Sequence, residues 1–255
     1  QAGTITIVYL VMGKSTALLE SLNAGDSITL ASAGGDIGAT NAIRVKADGA
    51  VVNASAKEDG TIRLAGAEAG NLVLGEIQAE GDESKVEVTN DGGGIELSRA
   101  ADAENNKSAA NADVKAGEIS LSAQNLNLTG GSLEATNANG TLSLTAANTI
   151  EQKNTETSKL AAAGEVVLTA GTTGDADEEK NAGGSISLQS TDNTFGVVNI
   201  YAADEEKEMV GLLQFLDIHT LVHKVKVLPP QLLEVGNAVG YALEVCHSSI
   251  FAANI

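Results

Sequence analysis

The chain has no tryptophan, three phenylalanines and three tyrosines, so aromatics make up 2% of its 255 residues. That is too few for a conventional globular core, which relies on large ring systems for much of its buried area. Cysteine occurs once, at Cys246, and no disulfide can close within the chain. Basic residues are scarce, 15 against 34 acidic ones, giving a net charge of −19 and an isoelectric point near 4.4. Nucleic acid is therefore not expected as a partner, because binding a phosphate backbone needs clustered Lys and Arg. Long hydrophobic runs are missing too. The best, MVGLLQFLDIHTLVH, is broken by Asp217 and two histidines and falls short of the ~20 residues a membrane span needs. TITIVYLVM, at Thr4 to Met12, has no basic segment before it and no small-residue cleavage site after it, so no signal peptide is read there. Beginning at Gln1, the chain reads as a processed product or a piece of a longer one.

What is present is a recurring phrase. GDSITLASA, DGTIRLAGA, AGEISLSAQ, NGTLSLTAA, AGEVVLTAG and GGSISLQST each set a Gly before an apolar-x-apolar alternation that ends in small residues. Short alternating strands bounded by Gly, Asn and Asp and recurring at a near-constant interval are the signature of a chain that coils on itself. The first apolar residues run Ile62 to Val86, Ile95 to Ile119, Ile119 to Leu142, Leu142 to Val166 and Val166 to Ile186, at intervals of about 20–24 residues. Within one repeat, Ile119 and Leu121, then Leu126 and Leu128, then Leu133 mark two or three strands with QN and TGG at the corners. A single repeat cannot bury its own aliphatics, so neighbours must stack at roughly 4.8 Å. The expected fold is all-β: a right-handed parallel β-helix with a short mixed helix and strand cap at the carboxyl end. Low aromaticity and 28 glycines suit a narrow aliphatic interior with many corners, and the regular aliphatic pairs argue against the disorder that the charge alone would suggest.

The composition changes at ADEEKE, near Asp204 to Glu208. Residues 1–208 are read as the repeat region and 209–255 as a capping segment, since a stack of repeats needs an atypical end to cover its apolar cross-section. In the cap, KVKVL at Lys224 to Leu228 alternates like a strand and is stopped by Pro229 and Pro230. Leu232, Val235, Val239, Leu243, Cys246 and Ile250 recur at helical spacing.

Candidate sites are few. His219 and His223 would share a helix face and could hold a metal with Cys246 or His247, but HTLVH lacks the Glu of a zinc-protease helix, and packing or surface histidines are the better reading. Asp175, Asp177, Glu178 and Glu179 could bind Ca²⁺, yet they match no calcium-loop pattern and read as an exposed corner. Glu118, Glu134 and Glu165 stand in the repeats without forming an evident acid–base pair. Only three arginines accompany them, Arg44, Arg63 and Arg99, and no His lies in the repeats. No catalytic, cofactor-binding or metal-binding residue is assigned, and no enzyme activity or cofactor is expected. The sequons at Asn53, Asn106, Asn127 and Asn139 are read as turn asparagines. Longer insertions at Arg99 to Lys115 and Gly171 to Gly184 are the places to look for a contact surface.

AGEISLSAQNLNLTGGSLEATNANGTLSLTAANTI and GGSISLQSTDNTFGVVNIYAAD resemble the repeats of filamentous-haemagglutinin-type exoproteins, the large bacterial adhesins of two-partner secretion. The resemblance covers about residues 25–203 and implies a β-helical stalk, export by an outer-membrane transporter, and a secreted or cell-surface location. It also implies a host or neighbouring-cell receptor or glycan as partner. The amino-terminal secretion domain of that family is not recognisable. Two alternatives remain open: a self-assembling surface-fibre or surface-layer component, and a carbohydrate-active β-helix enzyme.

Overall fold

The computed structural model describes residues 4–9, 22, 24, 27–46, 50–97, 112–153, 158–171, 184–202, 214–215 and 224–227. They form sixteen strands. The first six are β1 (Thr4–Tyr9), β2 (Ser27–Ser32), β3 (Ile43–Val45), β4 (Val51–Ala56), β5 (Thr61–Gly66) and β6 (Leu72–Ala79). Next come β7 (Lys85–Leu97), β8 (Ala112–Ala116), β9 (Glu118–Asn127), β10 (Gly131–Ala135) and β11 (Thr141–Gln152). The last five are β12 (Lys159–Ala170), β13 (Ser185–Leu188), β14 (Thr194–Ala202), β15 (Gln214–Phe215) and β16 (Lys224–Val227). The strand read from KVKVL is β16. The helix read over Leu232 to Ile250 lies outside the described residues.

Alternation decides which side of each strand faces in. In β10, Gly131, Leu133 and Ala135 are buried while Ser132 and Glu134 are only partly covered, and β2 repeats the pattern with Ile28, Leu30 and Ser32 inside. Parallel sheets are ordinarily covered on both faces. Here one face meets an aliphatic interior and the other meets solvent, as period-two polarity requires.

Every strand pairing is parallel, and the pairings fall into two series. One series runs β1-β2-β4-β6-β8-β10-β12, with β14 and β16 continuing it, and the other runs β3-β5-β7-β9-β11, with β13 and β15 beyond. Two seams join them. Leu72, Val73 and Leu74 of β6 pair with Ile95, Glu96 and Leu97 of β7, and β11 pairs with β12 from Thr141↔Glu165 to Ala146↔Ala170. The expected open, right-handed β-helix is corrected by these seams. The sheet closes into a seven-strand parallel barrel, β6-β8-β10-β12-β11-β9-β7 and back to β6, with the remaining strands paired outside it. Closure is possible because the long strands carry two ladders each. β7 breaks register between Asn90 and Gly94, β11 between Ala146 and Thr149, and β12 between Ala162 and Glu165, and a bulge at each break re-aims the strand.

The repeated phrases meet, though not always in the expected order. Ile62, Val86, Ile119, Leu142, Val166 and Val198 are successive register partners, all buried, and Leu64, Val88, Leu121, Leu144, Leu168 and Ile200 form a second such row. Ile95 is not the partner of Ile119: it lies between Leu72 and Leu126. Ile186 likewise pairs with Ile150 rather than Val166. Strands of both series share the apolar-x-apolar form, so the phrase does not reveal which ladder it joins.

Glycine precedes the phrase for a steric reason. Gly117, Gly140 and Gly164 stand in one column at a corner, where a Cβ on Gly140 would fall on the Gly117 carbonyl oxygen and one on Gly164 would fall on the Gly140 oxygen. No side chain fits where backbone packs on backbone. Just before β7, Ser84 holds this place: its hydroxyl accepts from Gly117 N at 2.9 Å and shares its one proton between the carbonyls of Ala79 and Gly81, at 2.9 and 2.7 Å.

Other buried polar groups are tied in the same manner. Gln152 and Asn193 exchange two amide hydrogen bonds, Leu160 N donates to Asn193 Oδ1, and the Ser158 hydroxyl donates to Leu128 O. Ser190 in turn donates to Ser158 O. At the β7 bulge Asn90 donates to Gly70 O and Gly94 O at 2.8 and 2.7 Å, and its buried Oδ1 has no partner.

Candidate functional site

A continuous face runs over the outer side of β5, β7, β9, β11, the second half of β12, and β14. Outward residues fall into rows because the register is continuous. One row holds Thr61, Lys85 and Glu118, then Thr141, Glu165 and Val197. A second holds Arg63, Glu87, Ser120, Ser143, Val167 and Asn199, and a third Ala65, Thr89, Ser122, Thr145 and Thr169. Along a row the chemistry repeats at roughly 4.8 Å, the distance between neighbouring strands.

Charges on this face are paired across strands. Arg63 Nε donates to Glu87 Oε2 at 2.6 Å and Arg63 Nη1 to Ala39 O at 2.7 Å, while Lys85 Nζ donates to Glu118 Oε2 at 2.7 Å. The Lys85 ammonium is pushed above its ordinary pKa, first by its hydrogen bond to Glu118 and then by the charge of Glu118, with Glu87 adding to the effect and burial and Arg63 opposing it. Lys85, Glu87, Glu118, Ser120, Thr141 and Ser143 surround a shallow depression on the face. Elsewhere Lys46 meets Glu68 at 3.1 Å, Lys115 meets Glu134 at 3.6 Å, and Lys57 meets Glu80. Val197 is the one large apolar side chain that is exposed among the described residues.

The three glutamates singled out from sequence do not converge. Glu118 is held by Lys85, Glu165 accepts from Asn199 Nδ2, and Glu134 lies on β10, in the other series of strands. Glu118 and Glu165 share a row but β11 lies between their strands, which sets their backbones about 10 Å apart at the usual strand spacing. Arg44 is spent on Ala67 O at 3.0 Å. Arg99, His219, His223, Cys246, His247, Asp175, Asp177, Glu178 and Glu179 lie outside the described residues. Of the insertion read as Arg99 to Lys115, the last four residues belong to β8, and Lys115 is paired with Glu134. Residues 98–111 and 172–183 lie outside the described residues.

Of the three described sequons, only Asn139 fits the turn reading outright. It sits exposed between β10 and β11, its backbone N–H donating to Asn137 Oδ1 at 2.9 Å. Asn53 is a strand residue of β4 whose Oδ1 accepts from Glu76 N at 2.9 Å, filling the register break between Val52 and Ala54. Asn127 ends β9 and accepts from Thr129 N at 3.3 Å. Asn106 is outside the described residues.

Among the described residues no group of three or more His, Cys, Asp or Glu is placed to hold a metal ion, and no helix is long and apolar enough to cross a membrane. The chain matches no protein-family model, no curated protein and no solved structure.

Proposed function

We propose that the protein is a non-catalytic structural or adhesive component of a bacterial surface, of the filamentous-haemagglutinin exoprotein kind. It would be exported by an outer-membrane transporter and act outside the cell. The observation that supports this reading is the outer face, where hydroxyl and paired charged side chains recur in register over six strands. A repeating face suits a repeating ligand. Many weak contacts spaced at a fixed interval add to a strong attachment when the partner is itself an ordered array, such as a surface glycan layer. Cross-strand ion pairs serve this use by keeping a strongly acidic molecule locally neutral where it must approach another surface.

The test is adhesion of beads coated with the full chain to glycan-bearing epithelial cells and to immobilised polysaccharides under flow, with uncoated beads as control. Retention that weakens when Ser120, Ser143 and Thr145 are replaced together by Glu supports the reading. Equal retention of coated and uncoated beads, or release of sugar fragments from the polysaccharide, overturns it.

A further inference from the structure

The turn between β10 and β11 contains the one Asn-Gly dipeptide in the chain, Asn139-Gly140. We propose that Asn139 is a self-modifying residue, converted in the folded protein to aspartate and isoaspartate. In this chemistry the Gly140 backbone nitrogen attacks Asn139 Cγ and the side-chain nitrogen leaves as ammonia, closing a five-membered succinimide. Water then opens either carbonyl–nitrogen bond of the ring. Attack at one carbonyl gives aspartate, and attack at the other gives isoaspartate, whose backbone runs through the former side chain. One amide and one water are consumed, one carboxylic acid and one ammonia are produced, and no oxidant or enzyme is required.

Two observations place the reaction here. The residue after the asparagine must be glycine, because a Cβ at position 140 would strike Gly117 O, and that same lack of a side chain removes the steric bulk that would slow ring closure. Asn139 itself is exposed, and its side-chain amide makes no hydrogen bond to any described residue. Other asparagines are held or covered: Asn53 by Glu76 N, Asn71 by Gly94 N, and Asn90 and Asn193 by burial. The turn restrains the reaction without preventing it. Gly140 N–H donates to Asn137 O at 2.9 Å, so that bond must open before the nitrogen can attack, and local opening of a surface turn is the least costly opening a fold offers.

The product matters because of its position. Isoaspartate adds a backbone atom between Asn139 and Gly140, and Gly140 is packed between Gly117 and Gly164. The inserted atom pushes the corner out of step with both neighbours, so ageing at this one residue lowers the stability of the whole.

The experiment holds the purified full chain in mildly alkaline buffer at body temperature for weeks, in parallel with a sample kept in concentrated urea. Both are sampled by peptide mass mapping and by isoaspartate-specific methylation. In the folded sample, conversion at Asn139 is expected severalfold ahead of any other described asparagine, though slower than in urea, and the aged protein melts at a lower temperature. Asn139→Gln, at an exposed position where only the backbone is engaged, should show neither change. Retention of the amide at Asn139 in the folded sample after the urea sample has converted overturns the proposal, as does earlier conversion of Asn53, Asn71 or Asn125.

Discussion

Asn193 and Gln152 lie 41 residues apart in sequence and face each other, both buried, with both amide bonds made, at 3.0 and 2.7 Å. Asn193 also accepts from Leu160 N at 2.8 Å, so one side chain ties the end of β11, the start of β12 and the approach to β14. Removing it strands a buried amide and a buried backbone N–H. Asn193→Ala should cost about 1–3 kcal/mol or more, and more than Gln152→Ala, which leaves the Leu160 bond in place. Urea unfolding of the two variants measures the order, and an equal or reversed cost would show that the three-way tie is not what holds this end together.

Gly140→Ala tests the glycine corner. The added methyl meets a carbonyl oxygen of the neighbouring turn, which cannot rotate away as a side chain could. Overpacking of this kind costs about 1–3 kcal/mol. Ala138→Gly, two residues earlier and exposed, is the control and should change the unfolding midpoint much less.

Leu144→Ala probes the interior. Leu144 is fully buried and stacks between Leu121 and Leu168, with no aromatic neighbour in its row to move into the space. A loss of about 2–5 kcal/mol is expected, toward the upper end because parallel neighbours held by backbone bonds collapse poorly. A loss below this range, seen by chemical denaturation, would mean the rows repack freely.

Lys85 gives a pH signature. Its proton is held more tightly in the folded state by Glu118, so its contribution is complete below the ordinary lysine pKa of about 10.4 and fades as the pH climbs through the raised folded value. Because both side chains are substantially exposed, the effect is modest. The gap in Tm between wild type and Glu118→Gln should be present at neutral pH and close in strongly alkaline buffer. A gap that stays constant would place its origin elsewhere than in the Lys85 proton.

The strands were legible where burial is set by neighbours in sequence. Ile119-Ser120-Leu121 and Leu142-Ser143-Leu144 announce an inward and an outward face on their own, and the alternation of Lys224 to Val227 announces a strand. Partner choice was not legible, because nothing in Ile95 or Ile186 distinguishes a residue that continues one ladder from one that belongs to the other. Closure depends on bulges at Asn90, Ala146 and Ala162, and a bulge leaves no composition of its own in a chain already rich in Gly, Ala and Asn. Asn53 misleads for the same reason: it has the composition of a turn but serves in a strand, where its side chain substitutes for a missing backbone acceptor. The outer face was half visible. Its hydroxyls and glutamates could be read from the sequence, but the pairing of Lys85 with Glu118, 33 residues on, could not.

Val86 and Ile119 are partners although 33 residues separate them, whereas Ile62 and Val86 are partners at 24. The ladder is indifferent to how much chain is spent between two of its members, provided the chain re-enters at the same level. Chain length between two members can thus differ by nine residues while the rows they form stay in step.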